Sequence, residues 1–563
     1  MTDIEVYFPK LGHFWLDAGL VGMERLLREV ESPIQVDASD AGVTLAGAEA
    51  EIEQALNATY DKLIERYYNL STKKQRDDKI SYNFFYDAKK DKFIAFPKRK
   101  SVGIAGLIYD KAPRPTGDSL KWESKYTKTI TLAGKQFGRT RAKLPSTHSQ
   151  LQSRLDEFLD INGLNITTSG LLVDGPNAVR PKVVIKVSTS EPKGACYLCG
   201  ESSHILEDAS QTTFPLITGS SGLLSFNSQA GAPEKVCWKC SFRGKFVPVA
   251  GFYMKPGDNL FAFFPYSSSL KKMVDALSLL QDTLYDDPML RKNFQHPLGF
   301  EKVVDGFFQR PYEAAFAFLC TIYEKLIKQT PKGDGHASLD WAHMLNITLA
   351  NAPLEFVVLD AQAKGQTAMA KMVWPFRDSV YFFRLLQKIE TQRIIIKEIM
   401  RLYIDFSQSK FENMTLTRNR VCERILKKKS VLDLTEKHVF STGVNFFKPL
   451  LDFLIVYEPT IRREDSMNNE EQETAVQLGK RLGMSVGNEG KKGDLFRLRK
   501  TRRKIDFLNE LNRLQFKFKL TVPPDVYGGK LTDANFNEFK QFSMIAALNS
   551  FNAATSSQKG EGK

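Results

Sequence analysis

Four of the six cysteines in this 563-residue chain fall into two tight pairs, Cys196-Tyr197-Leu198-Cys199 and Cys237-Trp238-Lys239-Cys240. A C-x-x-C spacing lets two thiolates face one ion at about 2.3 Å, and two such knuckles complete a tetrahedron of soft ligands. The ion expected there is Zn2+. Gly194 and Gly200 flank the first pair and Ser241-Phe242-Arg243-Gly244 follows the second, which gives the backbone room to turn amides toward sulfur. Four thiolates leave no open position, so the site is expected to be structural. It would close the base of an insertion, residues 200–236, that is rich in Ser, Thr and Gly. Metal binding would supply the stability that this composition does not, on the order of 10 kcal/mol in small zinc modules. His204 lies between the knuckles and could replace a cysteine, although a lone histidine reads first as a surface residue. An iron–sulfur cluster is the chemical rival, and widely separated paired knuckles favour zinc. Cys320 reads as a small buried apolar residue, and Cys422 has no partner pattern.

Catalytic motifs are mostly missing. The chain has no G-x-x-x-x-G-K-[ST] loop, no H-E-x-x-H, no G-x-S-x-G elbow and no kinase set. One acid, acid, lysine arrangement resembles a restriction-type nuclease: Asp110, Glu123 and Lys125 could hold Mg2+ and a water. These are common residue types at loose spacing, and Ala112 to Gly117 between them reads as a loop. The chain is therefore expected not to be an enzyme, with a metal-dependent nuclease as the alternative.

The net charge of +14 is unevenly spread. Residues 401–563 hold 29 Lys+Arg and 20 Asp+Glu, a surplus of +9, which leaves 50 and 45, or +5, for residues 1–400. A field of this sign favours a polyanion, and nucleic acid comes ahead of lipid because no lipidation motif accompanies it. The densest run is Lys491 to Lys504, with Lys491, Lys492, Arg497, Arg499, Lys500, Arg502, Arg503 and Lys504 against the single acid Asp494. Leu495, Leu498, Ile505 and Leu508 keep an apolar stripe through it, so the cations are expected to form a rail along one packed helix. A solvated helix face is the other reading of such a run.

Behind these residues stand globular elements: 42% hydrophobic and 26% charged residues, and a length that allows three or four units at about 150 residues each. No run approaches the roughly 18 apolar residues of a membrane span, the longest candidate being Ala314 to Tyr323. The acidic start lacks a secretory pattern, so a reducing cytosol is expected. Strands are expected at Glu5–Phe8 and Val183–Val187, and a hairpin at Asn83–Phe96. Helices are expected near Met23–Val30, Tyr381–Phe406 and Thr474–Met484, and around Phe536, Phe539, Phe542 and Ile545, with a frayed tail from Ala553. The expected fold is an α+β N-terminal part (1–190), a four-cysteine zinc-knuckle insertion (191–250), a mainly helical stretch (251–400) and a basic α-helical bundle (401–563).

Three features together resemble the large subunit of type I CRISPR interference complexes (Cascade), closest to subtype I-B. They are the opening Phe14-Trp15-Leu16-Asp17-Ala18-Gly19-Leu20-Val21-Gly22, the paired knuckles, and the C-terminal phrases Leu478 to Gly483, Asp494 to Arg499 and Phe507 to Leu514. The resemblance implies a non-catalytic prokaryotic, cytoplasmic subunit that works with crRNA, target duplex DNA and its displaced strand. It would join backbone, crRNA-5′-end-binding and small subunits, read the protospacer-adjacent motif, aid DNA opening and R-loop stabilisation, and receive a helicase-nuclease. Guided transposition, where no nuclease is recruited, is a variant of the same reading. Candidate motif readers are Lys98, Arg99, Lys100, Arg114, Arg139 and Arg141, since groove contacts fall to Arg and Lys. The basic bundle would resemble the small subunit that supports an opened strand. Met400, Met414 and Met467 are candidate internal starts for a separate copy of it.

Overall fold

The computed structural model describes residues 3–64, 82–88, 90–97, 118–166, 170–173, 183–185, 191–209, 235–254, 259–284, 310–328, 355–364, 367–442, 447–462, 466–489 and 491–561. The chain forms two compact units, Met1–Gln295 with Asn346–Arg377, and His296–Leu345 with Asp378–Lys563. The first is α+β. The described residues of the second are helical or irregular.

The first unit opens with β1 (Asp3–Pro9), α1 (Phe14–Arg28), β2 (Gln35–Ala38), β3 (Gly42–Ala48) and α2 (Glu49–Leu63). The strands form an antiparallel sheet in the order β1-β3-β2. Val6 and Phe8 of β1 face inward while Glu5 and Tyr7 face out, the period of two that a half-buried strand requires. At the start of α1 the His13 ring nitrogen accepts the Leu16 N–H at 3.4 Å. Burial holds the His13 pKa below its ordinary value, which favours this neutral, accepting form. Asp17 is fully buried; it accepts the Leu11 N–H at 2.8 Å and pairs with Lys10 at 3.4 Å, fixing the turn into the helix. Every residue from Trp15 to Glu24 is buried, so α1 is a central helix rather than a surface one.

Next come β4 (Tyr82–Asp87), β5 (Lys92–Pro97), β6 (Asp118–Lys121), β7 (Ser124–Leu132), β8 (Lys135–Lys143), α3 (Gln152–Asn162) and β9 (Gly170–Val173). The β4–β5 hairpin lies where sequence places it. A second sheet runs β5-β4-β9-β6, with only β4 and β9 parallel, and Leu155 and Leu159 of α3 join Tyr86, Phe93 and Leu171 in one core. Among the described residues β7 and β8 pair only with each other.

Short elements carry the cysteines: β10 (Gly194–Ala195), β11 (Ser202–Ser203), β12 (Leu206–Asp208), β13 (Lys235–Cys237), α4 (Trp238–Gly244) and α5 (Val247–Ala250). Upstream of them, residues 183–185 have no regular structure where a strand is expected from sequence. The unit ends with β14 (Phe252–Met254), β15 (Asn259–Tyr266), α6 (Leu270–Leu284), β16 (Glu355–Lys364) and β17 (Thr367–Phe376), whose strands form an antiparallel sheet in chain order. This sheet lies in a span expected to be mainly helical. Leu260 to Phe264 are all buried, and an apolar run of that length fits a central strand as well as a helix.

The second unit contains α7 (Pro311–Lys328), α8 (Ser379–Thr391), α9 (Ile396–Leu402), α10 (Phe411–Met414), α11 (Leu416–Leu426), α12 (Leu432–Thr442) and α13 (Lys448–Tyr457). It finishes with α14 (Asn469–Asn488), α15 (Lys492–Arg499), α16 (Lys504–Phe518) and α17 (Phe536–Glu561). The single helix expected over Tyr381–Phe406 is two, α8 and α9, parted at Arg393, which adopts φ of 57°. The tail after Ala553 continues α17 instead of fraying. Asn468 caps α14 reciprocally: its Oδ1 accepts the Glu471 N–H at 2.9 Å, and the Glu471 carboxylate accepts the Asn468 N–H at 2.7 Å.

The phrase Leu478-Gly479-Lys480-Arg481-Leu482-Gly483 is explained by the α14–α17 contact. A β-carbon at Gly479 would lie 2.2 Å from the Ser543 carbonyl oxygen, and one at Gly483 would lie 2.1 Å from that of Ala547. Backbone therefore meets backbone along this seam. Gly483→Val should cost about 2–3 kcal/mol by forcing the two helices apart, read as a lower denaturant midpoint with an unchanged slope. The exposed Lys480→Ala on the same helix should leave the midpoint within about 0.5 kcal/mol of wild type.

Candidate metal centre

The four cysteines converge. The Sγ atoms of Cys196, Cys199, Cys237 and Cys240 all lie within 4.8 Å of one another, and those of Cys199 and Cys237 are 3.7 Å apart. The first knuckle is a tight turn between β10 and β11. The Cys196 N–H donates to the Glu201 carbonyl and the Gly200 N–H to the Cys196 carbonyl, both at 2.8 Å, with Gly200 at φ of +74°. The second knuckle joins β13 to α4, where Cys237 is the N-cap and Cys240 lies in the first turn. A bond from the Tyr197 N–H to the Lys235 carbonyl, 2.9 Å, ties one knuckle to the other.

Donors already point at the sulfurs. The Cys237 N–H donates to Cys196 Sγ at 3.2 Å, and the buried Arg243 guanidinium donates to Cys240 Sγ at 3.0 Å. Hydrogen bonds from Cys199, Cys237 and Cys240 hold the Cys196 thiol far below its ordinary range. The same crowding pushes Cys240 far up, because four adjacent thiols cannot all ionise without a cation among them. These residues could hold a metal ion, and the soft, all-sulfur donor set suits one that prefers tetrahedral thiolate. His204 is not part of the cluster; it lines a cavity of about 670 Å³ between β1 and the knuckles, with Glu5, Tyr7, Glu201 and Trp238.

The centre is built into the N-terminal elements. Arg243 donates to the Pro9 carbonyl at 2.6 Å, and Lys239 donates to the Tyr7 carbonyl at 3.1 Å and pairs with Glu201 at 2.5 Å. Trp238 meets Phe8 edge-on, with ring centroids 5.7 Å apart. α1 lies against α4 and α5 so closely that a β-carbon at Gly19 would be 2.3 Å from the Arg243 carbonyl oxygen, and one at Gly22 would be 2.4 Å from that of Phe246. The opening Asp-Ala-Gly-Leu-Val-Gly phrase and the second knuckle are therefore two sides of one contact.

The basic candidates have different fates. Lys98, Arg99, Lys100, Arg114 and the nuclease candidate Asp110 lie outside the described residues. Arg141 is fully buried, bonded to Asp160 and, at 2.8 Å, to the Leu164 carbonyl, so its guanidinium is engaged inside the fold instead of at a groove. Arg139 is half-buried, and its Nε has no hydrogen-bond partner. Glu123 is exposed and pairs with Lys143 at 3.8 Å, and Lys125 is exposed.

The run Lys491–Lys504 spans two helices, α15 and α16, with Lys500 to Arg503 in the turn between, rather than one rail. Ile505 is exposed, and Phe507 takes its place in the core. Several cations are already paired: Arg497 with Glu510 at 3.3 Å, Arg503 with Asp506 at 2.9 Å, Lys504 with Asp533 at 3.5 Å and Lys491 with Glu489 at 3.7 Å. Arg499 bonds to Glu436 at 3.0 Å and lies over the Phe440 ring at 4.6 Å, which fastens α15 to α12. Lys492 lies 5.8 Å over the Phe496 ring. Lys500 and Arg502 are exposed and have no acidic partner among the described residues.

Compared with known proteins, the chain matches no family model and no curated protein. Among the described residues no helix is long and apolar enough to cross a membrane.

Metal analysis of the purified protein should find about one equivalent per chain held by four thiolates. Cys240→Ser should lose the metal and destabilise the first unit, whereas Arg243→Gln should keep it with affinity lowered about 10–100-fold, as loss of an outer-shell donor does. Full-strength metal binding by Arg243→Gln would show that this guanidinium does not support the sulfur.

Proposed function

We propose that this chain is the zinc-containing, non-catalytic large subunit of a crRNA-guided type I CRISPR complex, acting in the prokaryotic cytoplasm on duplex DNA. The observation that carries the reading is the α1 to α4–α5 contact, in which the two sharpest motifs of the resemblance turn out to be partners in one structural unit. Guide pairing would supply sequence specificity, while this subunit would bind the protospacer-adjacent duplex, help open it and dock a helicase-nuclease. The zinc would hold the knuckles in shape. A structural role follows from the donor set, since four thiolates leave no site for a substrate or an attacking water.

The helical second unit supports the strand-binding part of the reading through Lys500 and Arg502, the two cations of the basic run that are neither paired with an acid nor laid over a ring. Met414 ends α10, so a product started there would begin just ahead of α11. The nuclease alternative would need Asp110, Glu123 and Lys125 to act together.

Co-expression with crRNA and the remaining subunits should yield a ribonucleoprotein that retains this chain through size exclusion. The purified chain with Mg2+ should leave labelled DNA intact. Cleavage abolished by Glu123→Ala would sink the non-catalytic reading in favour of the nuclease. In the second unit, Lys500→Gln/Arg502→Gln should weaken binding of single-stranded DNA and lower the salt slope by about 1.4, at roughly 0.7 per phosphate contact, without changing thermal stability. Arg499→Gln, by contrast, should lower thermal stability, because it releases Glu436 and Phe440.

A further inference from the structure

We propose that the β7–β8 ribbon, Ser124 to Lys143, is a docking site for duplex DNA, with Lys135 and Arg139 meeting phosphates and Phe137 lying against the groove wall. The inference rests on the nucleic-acid part of the function proposed above and not on the guided complex.

The first observation is charge. The ribbon holds Lys125, Lys128, Lys135, Arg139, Arg141 and Lys143 and not a single Asp or Glu. Residues 1–400 carry +5 in all, so their remainder without this +6 ribbon is at −1. The basic character of that long stretch is thus local to twenty residues. The second observation is register. Tyr126 faces Arg141, Lys128 faces Arg139, Ile130 faces Phe137 and Leu132 faces Lys135, which puts cations and aromatics on one face. The other face, with Thr127 opposite Thr140 and Thr131 opposite Gln136, is polar and carries Lys125 alone of the six cations.

Two cations directly across a ladder destabilise a hairpin. Here Lys128 is relieved by Asp160 at 2.9 Å, while the half-buried Arg139 has no acidic partner among the described residues and its buried Nε has no hydrogen-bond partner. Lys135 likewise has none, and it stands exposed beside the tip. Tyr126 and Phe137 are 46% and 43% exposed, although aromatics of this size are ordinarily covered. Lysines can also protect open strand edges from aggregation, but that role does not call for aromatics on the same face.

The ribbon is preformed. Ala133 and Gly134 have φ of 50° and 75°, the pair of left-handed residues that a two-residue turn needs to match strand twist. Its base is anchored: Arg141 is bonded to the Leu164 carbonyl at 2.8 Å, the Thr140 N–H to Asn165 Oδ1 at 2.8 Å, and Ala142 is in the core. A rigid two-stranded ribbon fits the roughly 12 Å wide major groove of B-form DNA, and the deep, narrow major groove of an RNA helix does not admit it.

The test titrates the full-length chain, without guide RNA, against a labelled DNA duplex of arbitrary sequence at several NaCl concentrations. Lys135→Gln/Arg139→Gln should weaken binding about tenfold and lower the slope of log K against log salt by about 1.8, at 0.9 per phosphate contact, with the thermal midpoint unchanged. Lys135→Arg/Arg139→Lys should retain both affinity and slope. Unchanged binding by the folded Gln variant overturns the proposal. So does equal competition by an RNA duplex of the same sequence, or preferential binding to phosphatidylserine vesicles. If the double variant does not fold, Lys135→Gln alone decides: a slope lower by about 0.9 supports the ribbon and an unchanged slope overturns it. A duplex effect in protein that joins no guide ribonucleoprotein still supports the ribbon while overturning the guided complex.

Discussion

The first unit depends on four sulfur atoms that cannot stay crowded together as anions alone. As thiolates within 4.8 Å of one another they would need a cation to share their charge, and the protein already turns a backbone amide and the Arg243 guanidinium toward them. Arg243 then passes this constraint outward, because the same side chain holds the end of β1 through the Pro9 carbonyl. α4 is placed by its cysteines, and α1 is placed against α4 at Gly19 and against Phe246, just ahead of α5, at Gly22, two glycines with no room for a methyl group. Cysteine cluster, second knuckle and central helix thus form one chain of dependence, in which each link requires a residue type that chemistry or sterics dictates.

Legibility in the sequence follows the same logic. The cysteine knuckles are visible because ligand geometry restricts both residue type and spacing, and the β4–β5 hairpin because alternating apolar residues flank a polar turn. The glycines of α1 and α14 are visible as phrases, but their reason is not, since a close helix–helix approach is a property of two segments distant in sequence. β15 to β17 read wrongly as helical country. The continuous apolar run of β15 carries no period, and it is the partner strand, not the local pattern, that decides such a segment. The break between α8 and α9 depends on a single residue, Arg393, in a left-handed conformation that a basic side chain does not announce.

Charge is legible in amount and misleading in place. The run Lys491–Lys504 stands out because its cations are close together in sequence, yet the fold brings Glu436, Glu510 and Asp533 to them from three other segments. Arg499, with its carboxylate and its aromatic ring, is better understood as a fastening between helices than as a binding surface. Sequence neighbours alone cannot reveal such neutralisation, which follows from tertiary contacts.

The β7–β8 ribbon shows the opposite error. Its cations are spaced by threonines and a turn, so no dense run marks them, and a tally of +5 over the first 400 residues does not show where that surplus lies. Pairing two strands halves the distance along which those charges are spread and puts five of the six on one face; Asp160 and Glu123 take up Lys128, Arg141 and Lys143, which leaves Lys135 and Arg139 without an acidic partner among the described residues. An electrostatic footprint on a protein is therefore better read from charges left unpaired after the strands and helices have met than from their density along the chain. By that measure Lys135 and Arg139 outrank most of the basic run that composition singles out.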